Sequence, residues 1–381
     1  MKKLIMLSTC AAMLSTSLFA FDVQTSGFIN VVGGINDLDD NQTDIINGYD
    51  NKYDFQNDSL AALQFNAKID DKMGAVVQLI AQNKDTGDNI HMEWGYVYYD
   101  ATDELRFLAG RVRPALFLYS NYLDVGYAYS WITPPSEVYY QAQITNLDGI
   151  NAAYTLELDD SAISLNVYGG NSSGGKINPN GGALMEFSYD SIYGAELAWS
   201  DDYVKVRVGY TGAKVTNNTD VFTGTPVPAA AIPYLEFNES DASFYGAGIS
   251  VDYADVLFAA EYIGRDMDET VAPDVQAYYA MIGYKIGDFT PTYTYAVADS
   301  SMEFLNTGNP SDAAVNNARA GQLDDRTSHT VALRYELNDS AALKFEVKHE
   351  TVTTSEYEGS TTLTETDNDV NTYRVALNVV F

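Results

Sequence analysis

The chain has 381 residues, with 53 Asp plus Glu against 21 Lys plus Arg and a formal net charge of −32. That balance excludes a protein that tracks nucleic-acid phosphates, and an aromatic share of 13%, with 29 Tyr, excludes an acidic disordered chain. The one cysteine, Cys10, excludes a disulfide framework.

Residues 1–20 read as a secretory signal peptide. Met1, Lys2 and Lys3 give a positive start, Leu4 to Phe19 is mostly apolar, and Ala20 offers a small residue at the cleavage point. The apolar run is shorter than the about 20 residues that span a membrane, and Ser15, Thr16 and Ser17 break it. Thr9 is too large for the position before a lipidated cysteine, so Cys10 does not mark a lipoprotein. Cleavage removes Lys2, Lys3 and Cys10, leaving residues 21–381 with 19 basic and 53 acidic residues as one domain. No later segment holds 18 consecutive apolar residues, which excludes a helical membrane protein.

From Phe21 onward, short blocks alternate apolar and polar residues. Leu63, Phe65, Ala67 and Ile69 alternate with Gln64, Asn66 and Lys68, the chain turns at Asp70–Lys72, and Val77, Leu79 and Ala81 repeat the pattern. Met92, Trp94, Tyr96 and Tyr98 then form the apolar face of a strand that turns at residues 101–104 into Leu105–Arg113. Further short turns fall at Asp159, Asp201, Ala254, Gly287 and Asn338, separated by long polar loops. Seven turns and eight loops give sixteen strands, the last from about Val370 to Phe381.

An even strand count, short turns at one end and long loops at the other predict an all-β fold: a transmembrane antiparallel barrel. Aromatic residues near the strand ends support it. Trp94, Tyr96, Tyr98, Tyr154, Trp199, Tyr203, Tyr253, Tyr293 and Tyr295 are expected to form girdles at the two membrane interfaces. On the final strand Tyr373, Val375, Leu377, Val379 and Phe381 share one face, and a chain that ends so resembles the insertion signal of outer-membrane β-barrels, which implies the barrel-assembly machinery as a partner.

The signal peptide, sixteen-strand rhythm, cysteine-free acidic barrel and terminal Phe381 together resemble the Gram-negative outer-membrane porins over essentially the whole chain. The resemblance implies a homotrimer in outer-membrane lipid and lipopolysaccharide, with a third loop folded inward to constrict each pore. That loop would be the connection from about Pro114 to Gly149, whose Leu118–Tyr127 and Trp131–Tyr139 stretches are too apolar for water. Folded inward, it is expected to bury Tyr119, Tyr122 and Trp131 and to present Asp124, Glu137 and Asp148 to the channel. Its sequence departs from the family's Pro-Glu-Phe-Gly-Gly pattern, so positions do not transfer. The plainer reading packs the loop over a neighbouring subunit or as an outer cap.

If apolar residues face lipid, the opposite parity points Lys68, Lys205, Arg207, Arg334, Lys344, Lys348 and Arg374 into the barrel. Arg111 and Arg113 join them if a bulge at Gly110 resets the phase. This basic wall opposite an acidic loop sets a transverse field. Against that, Lys344, Glu346, Lys348 and Glu350 share a face and have the alternative of pairing with one another. Acids assigned to loops, among them Asp37, Asp39, Asp40, Asp44, Asp50, Asp266, Asp268, Glu269, Asp324, Asp325 and Asp367, favour a weak cation preference.

No enzyme, cofactor or metal site is expected. Gly170–Gly174 matches G-x-S-x-G without a following helix, Asp37–Gly48 lacks the turn Gly and closing acid of a calcium loop, and three histidines lack ligand spacing. His329 and His349 fall on the lipid side, His91 on the lumen side. The expected function is passive diffusion of small hydrophilic solutes and ions. A substrate-selective pore, for example for a sugar that stacks on the loop aromatics, and a closed structural or adhesion barrel are the alternatives.

Overall fold

The computed structural model describes residues 22–37, 48–83, 89–142, 144–173, 176–177, 185–218, 238–268, 272–306, 312–358 and 362–381. The proposed signal segment, Asp39, Asp40, Asp44, Glu269 and the end of the G-x-S-x-G match at Gly174 lie outside them.

The described residues hold β1 (Asp22–Asp37), β2 (Leu60–Lys68), β3 (Met73–Gln82), β4 (Ile90–Asp100), β5 (Leu105–Val112), β6 (Leu147–Glu157) and β7 (Ser161–Ser172). A two-residue β8 (Lys176–Ile177) precedes β9 (Met185–Asp201), β10 (Val204–Asn218), β11 (Ser240–Tyr253) and β12 (Val256–Met267). The chain ends with β13 (Asp274–Tyr284), β14 (Phe289–Ser301), β15 (Asp325–Asn338), β16 (Ala341–Glu358) and β17 (Thr362–Val380). Setting aside β8, which only bridges to β9, sixteen strands pair antiparallel with their sequence neighbours. β1 pairs on one side with β2 and on the other with β17, so the sheet closes and leaves no edge.

Closure is completed at the last residue. The Gly27 amide donates to the Phe381 carbonyl (2.8 Å) and the Phe381 amide donates back (3.0 Å). A Cβ on Gly27 would stand 2.6 Å from the Phe381 ring, so only glycine lets that ring lie against the wall. Tyr373, Val375, Leu377 and Val379 share the outer face through their register with Ile35, Gly33, Val31 and Ile29.

The outer wall exposes Phe107, Ile150, Val167, Leu197, Val208, Ile282, Val331 and Phe345. An apolar surface of this extent is stable in hydrocarbon and not in water. Two aromatic rows bound it. Near the short turns stand Trp199, Tyr203, Tyr253, Tyr284 and Phe289, with Tyr203 and Tyr253 edge to face at 5.1 Å. Nearer the loops run Tyr193, Tyr210, Tyr262, Tyr278 and Tyr295, then His329 at 5.1 Å from Tyr295. The rows lie six or seven residues apart along the chain, about 20–23 Å. The outer faces of β1 to β3, among them Val23, Ile29, Val31, Leu63, Val77 and Leu79, carry no Tyr or Trp.

The start of the last strand and the placement of several acids differ from the sequence reading. β17 begins at Thr362, eight residues before the expected start, because Thr and Asp pair across β16 and β17 above the apolar band: Thr351 donates to Asp369 and Thr353 to Asp367, each at 2.7 Å. Asp367, like Asp266 on β12 and Asp325 on β15, therefore stands on a strand and not in a loop.

Candidate channel lumen

The connection between β5 and β6, residues 113–146, carries two 3₁₀ turns and the short α1 (Ser136–Tyr139), started by Pro134 and Pro135. It buries its aromatics against inward residues of β11 to β14. Phe117 stacks on Tyr139 (4.6 Å) and meets Phe244 edge on (5.3 Å), and Trp131 meets Tyr279 edge on (5.5 Å). Small residues at Ala259, Ala277, Ala296 and Ala298 make the room. Trp131, 1% exposed, donates its indole N–H to Thr294 (2.8 Å). Gly126 lies so close to the wall that a Cβ would stand 2.4 Å from Asn378 Nδ2. Asn378 in turn donates to Asn30, which donates to the Asp124 carbonyl.

The inward basic residues of this arc hold the segment in place. Arg207, fully buried, donates to the carbonyls of Ala115 and Leu116 (2.8 Å each) and pairs with Glu196 (3.1 Å) and Glu261 (3.2 Å). Glu261 also accepts from the Leu118 amide (2.6 Å) and the Tyr139 hydroxyl (2.8 Å). Arg334 donates to the carbonyls of Tyr127 and Tyr129, and Lys344 to those of Gly126 and Trp131. Arg374 binds Glu346, Asp58 and Thr133, while Glu346 accepts from the Ile132 amide. Lys348 joins Glu137 (2.9 Å), Ser136 (2.9 Å) and Glu350 (2.8 Å). Burial pushes the Glu137 carboxyl up, but the Lys348 ammonium together with hydrogen bonds from Ser328 and the backbone holds it below the usual carboxylate range.

These contacts correct the expected basic wall and acidic loop. Arg207, Arg334, Lys344 and Arg374 are spent on loop carbonyls and buried carboxylates, and Glu137 is buried with Lys348. Tyr119 and Trp131 are sealed between loop and wall, with Tyr122 beside Tyr119 at 5.6 Å. Asp148 and Arg111 bind each other in a fork (2.8 and 2.9 Å) on the outer face beside exposed Ile150. Gly110 has φ +135°, yet the register on either side is unbroken and no phase reset occurs. Lys68 pairs with Asp71 at the turn (3.1 Å). Lys205 shares the parity of Arg207 at the foot of β10.

The opposite arc, β2 to β7, is touched by the segment at Val125, packed against Phe28, Ala62 and Ile80, and at Ala115 in one cluster with Tyr168, and a cavity opens between these contacts. β4 carries a bulge against β3, where Gln78 pairs with Trp94 but Leu79 with Met92. His91 and buried Glu93 face inward before it (3.0 Å apart), and Trp94, Tyr96 and Tyr98 face inward after it, the reverse of the girdle role expected for these three rings. Between this arc and the loop lies a cavity of about 390 Å³ lined by Gln64, Trp94, Tyr96, Arg106, Leu108, Val112, Arg113, Ala115, Asn121, Asn151, Ala153 and Asn166. Its two guanidiniums are matched by acids: Arg113 by Glu93 and Asp124 (2.6 Å), Arg106 by Asp100 (2.6 Å). Asn166 donates to Glu196 (2.9 Å). Sequence alternation missed the inward rings of this arc, because a bulge leaves no residue signature on β4.

The chain matches no protein-family model and no curated protein. Its structure resembles OmpF of Salmonella typhi, solved with daunomycin, at 14% identity with TM-score 0.58, covering 94% of this chain and 97% of that one. It resembles the anion-selective porin of Comamonas acidovorans at 10% identity with TM-score 0.57, covering 95% and 100%. Outer-membrane OmpT of Vibrio cholerae is similar at 13% identity with TM-score 0.54, covering 96% and 99%. The chain has the closed sixteen-stranded barrel fold of the Gram-negative porins.

Proposed function

We propose that the chain is an outer-membrane porin, exported by a cleaved signal peptide, through which small hydrophilic solutes and ions diffuse without chemical turnover. One observation carries this reading: the inner segment buries its aromatics against one arc of the wall and leaves a polar cavity of about 390 Å³ beside the other. The acidic balance of 53 to 21 supports a weak cation preference, since acids attract cations to the mouth. A homotrimer is supported by the outer faces of β1 to β3, which carry no Tyr or Trp, in contrast to the aromatic rows of β9 to β15. Lipopolysaccharide and the barrel-assembly machinery are the partners this reading adds.

The test is single-channel recording from protein extracted from outer membranes, with the reversal potential taken under a KCl gradient. Steps in threes with cation preference are expected. Anion preference would keep the pore and overturn the vestibule argument, and silence from folded protein would favour a structural or adhesion barrel.

A further inference from the structure

We propose that the open arc carries a binding subsite for uncharged, polyhydroxylated solutes of the sugar class, built on the inward rings of Trp94, Tyr96 and Tyr98. The proposal deepens the porin reading and rests on it.

The bulge after Glu93 turns three rings at i, i+2 and i+4 of β4 toward the lumen, a ladder with steps of about 6–7 Å along the strand. Trp94 and Tyr96 are half-buried and line the cavity, unlike Tyr119 and Trp131, which are sealed under the loop. A pyranose presents an apolar C–H face and a rim of hydroxyls. Aromatic faces take the first, and amides, which both donate and accept, take the second.

Amides stand on the neighbouring strands. Gln64 on β2 accepts from Trp94 Nε1 (3.2 Å) and from Gln78 Nε2 (3.3 Å), which fixes the indole edge and the amide plane together. Asn151 on β6 and Asn166 on β7 line the same space. The guanidinium of Arg113 lies over Trp94 (5.1 Å) and that of Arg106 over Tyr98 (4.5 Å). Arg106 is held by Asp100 and Arg113 by both Glu93 and Asp124, so the guanidiniums orient the rings while the cluster carries one acid more than its bases. An anion would meet that excess of Glu93, Asp100 and Asp124, whereas a neutral polyol needs only the ring faces and amides of the arc. The volume of about 390 Å³ falls within the about 300–1,000 Å³ of small-molecule sites.

The probe is maltotriose, with a polyethylene glycol of equal mass as control, tested on purified full-length protein and on Tyr96→Ala, Trp94→Ala and Tyr96→Phe. In the native channel maltotriose is expected to lower the ion current saturably, while the glycol lowers it only in proportion to bulk conductivity. The half-saturating concentration should rise about tenfold in each alanine variant, as loss of one ring contact implies, and stay within about twofold in Tyr96→Phe. Saturable quenching of intrinsic fluorescence by maltotriose in detergent, lost in Trp94→Phe, reads the subsite independently of conductance. A protein that binds but does not conduct would therefore sink the porin reading alone. Glycol-like behaviour of maltotriose, or unchanged half-saturation in the alanine variants, would overturn the subsite.

Discussion

The two arcs of the inner wall use the same kinds of side chain for opposite ends. Along β10 to β17, Arg and Lys point inward and are consumed: Arg207, Arg334 and Lys344 donate to backbone carbonyls of residues 113–146, and Arg374 and Lys348 bind buried carboxylates. Along β2 to β7, Arg106 and Arg113 lie over aromatic rings at the edge of the cavity. A lumen-facing charge therefore means nothing for selectivity until the path of the inner segment is known. In the covered arc it holds a loop, and in the open arc it borders the water.

The largest effect that separates the arcs is expected from Arg207→Ala. It leaves Glu196 and Glu261 without their cation and frees the carbonyls of Ala115 and Leu116, a loss of about 3–5 kcal/mol for a broken buried pair. Thermal unfolding of the native barrel on denaturing gels should move down, and recordings should show large, noisy steps as the segment lifts. Unchanged, quiet channels would mean that the anchor does not hold the loop.

Trp131→Ala comes next. Removing a ring that is 1% exposed and bonded to Thr294 should cost about 3–5 kcal/mol, with the melting temperature reduced and ion preference retained. Arg113→Ala acts on the open arc. It leaves Glu93 and Asp124 uncompensated beside the cavity, so the reversal potential should shift toward cations; no shift would place the conducting path elsewhere. Arg111→Ala should do least, since its partner Asp148 is exposed on the outer face and such pairs contribute about 0–1 kcal/mol. Conductance should equal that of the native protein.

Much of this architecture was legible in the chain. Turns such as Asp70–Lys72 carry their own chemistry: Asp70 accepts from the amides of Lys72 and Met73 (2.8 Å each). Alternation on β2, with Leu63, Phe65 and Ala67 against Gln64, Asn66 and Lys68, also reads directly as two faces. The bulge on β4 does not, because two residues in place of one change the parity of everything downstream while leaving composition untouched. The fate of Arg334 and Lys344 was hidden for a different reason: their acceptors are backbone carbonyls some 200 residues away in sequence, and carbonyls have no residue identity. The path of residues 113–146 was suggested by their apolar content, but which acids it left exposed depended on contacts such as Lys348 with Glu137.

Current is expected to pass along the open arc and to be shut out of the covered one. Cys10, the one cysteine of the chain, stands in the proposed signal segment, so single cysteines can be introduced and treated with a charged thiol reagent during recording. Asn151→Cys and Asn166→Cys line the cavity, whereas Ala277→Cys and Ala296→Cys lie beneath the loop. The account predicts a stepwise loss of conductance from the first pair and no response from the second; block from the second pair with none from the first would contradict it.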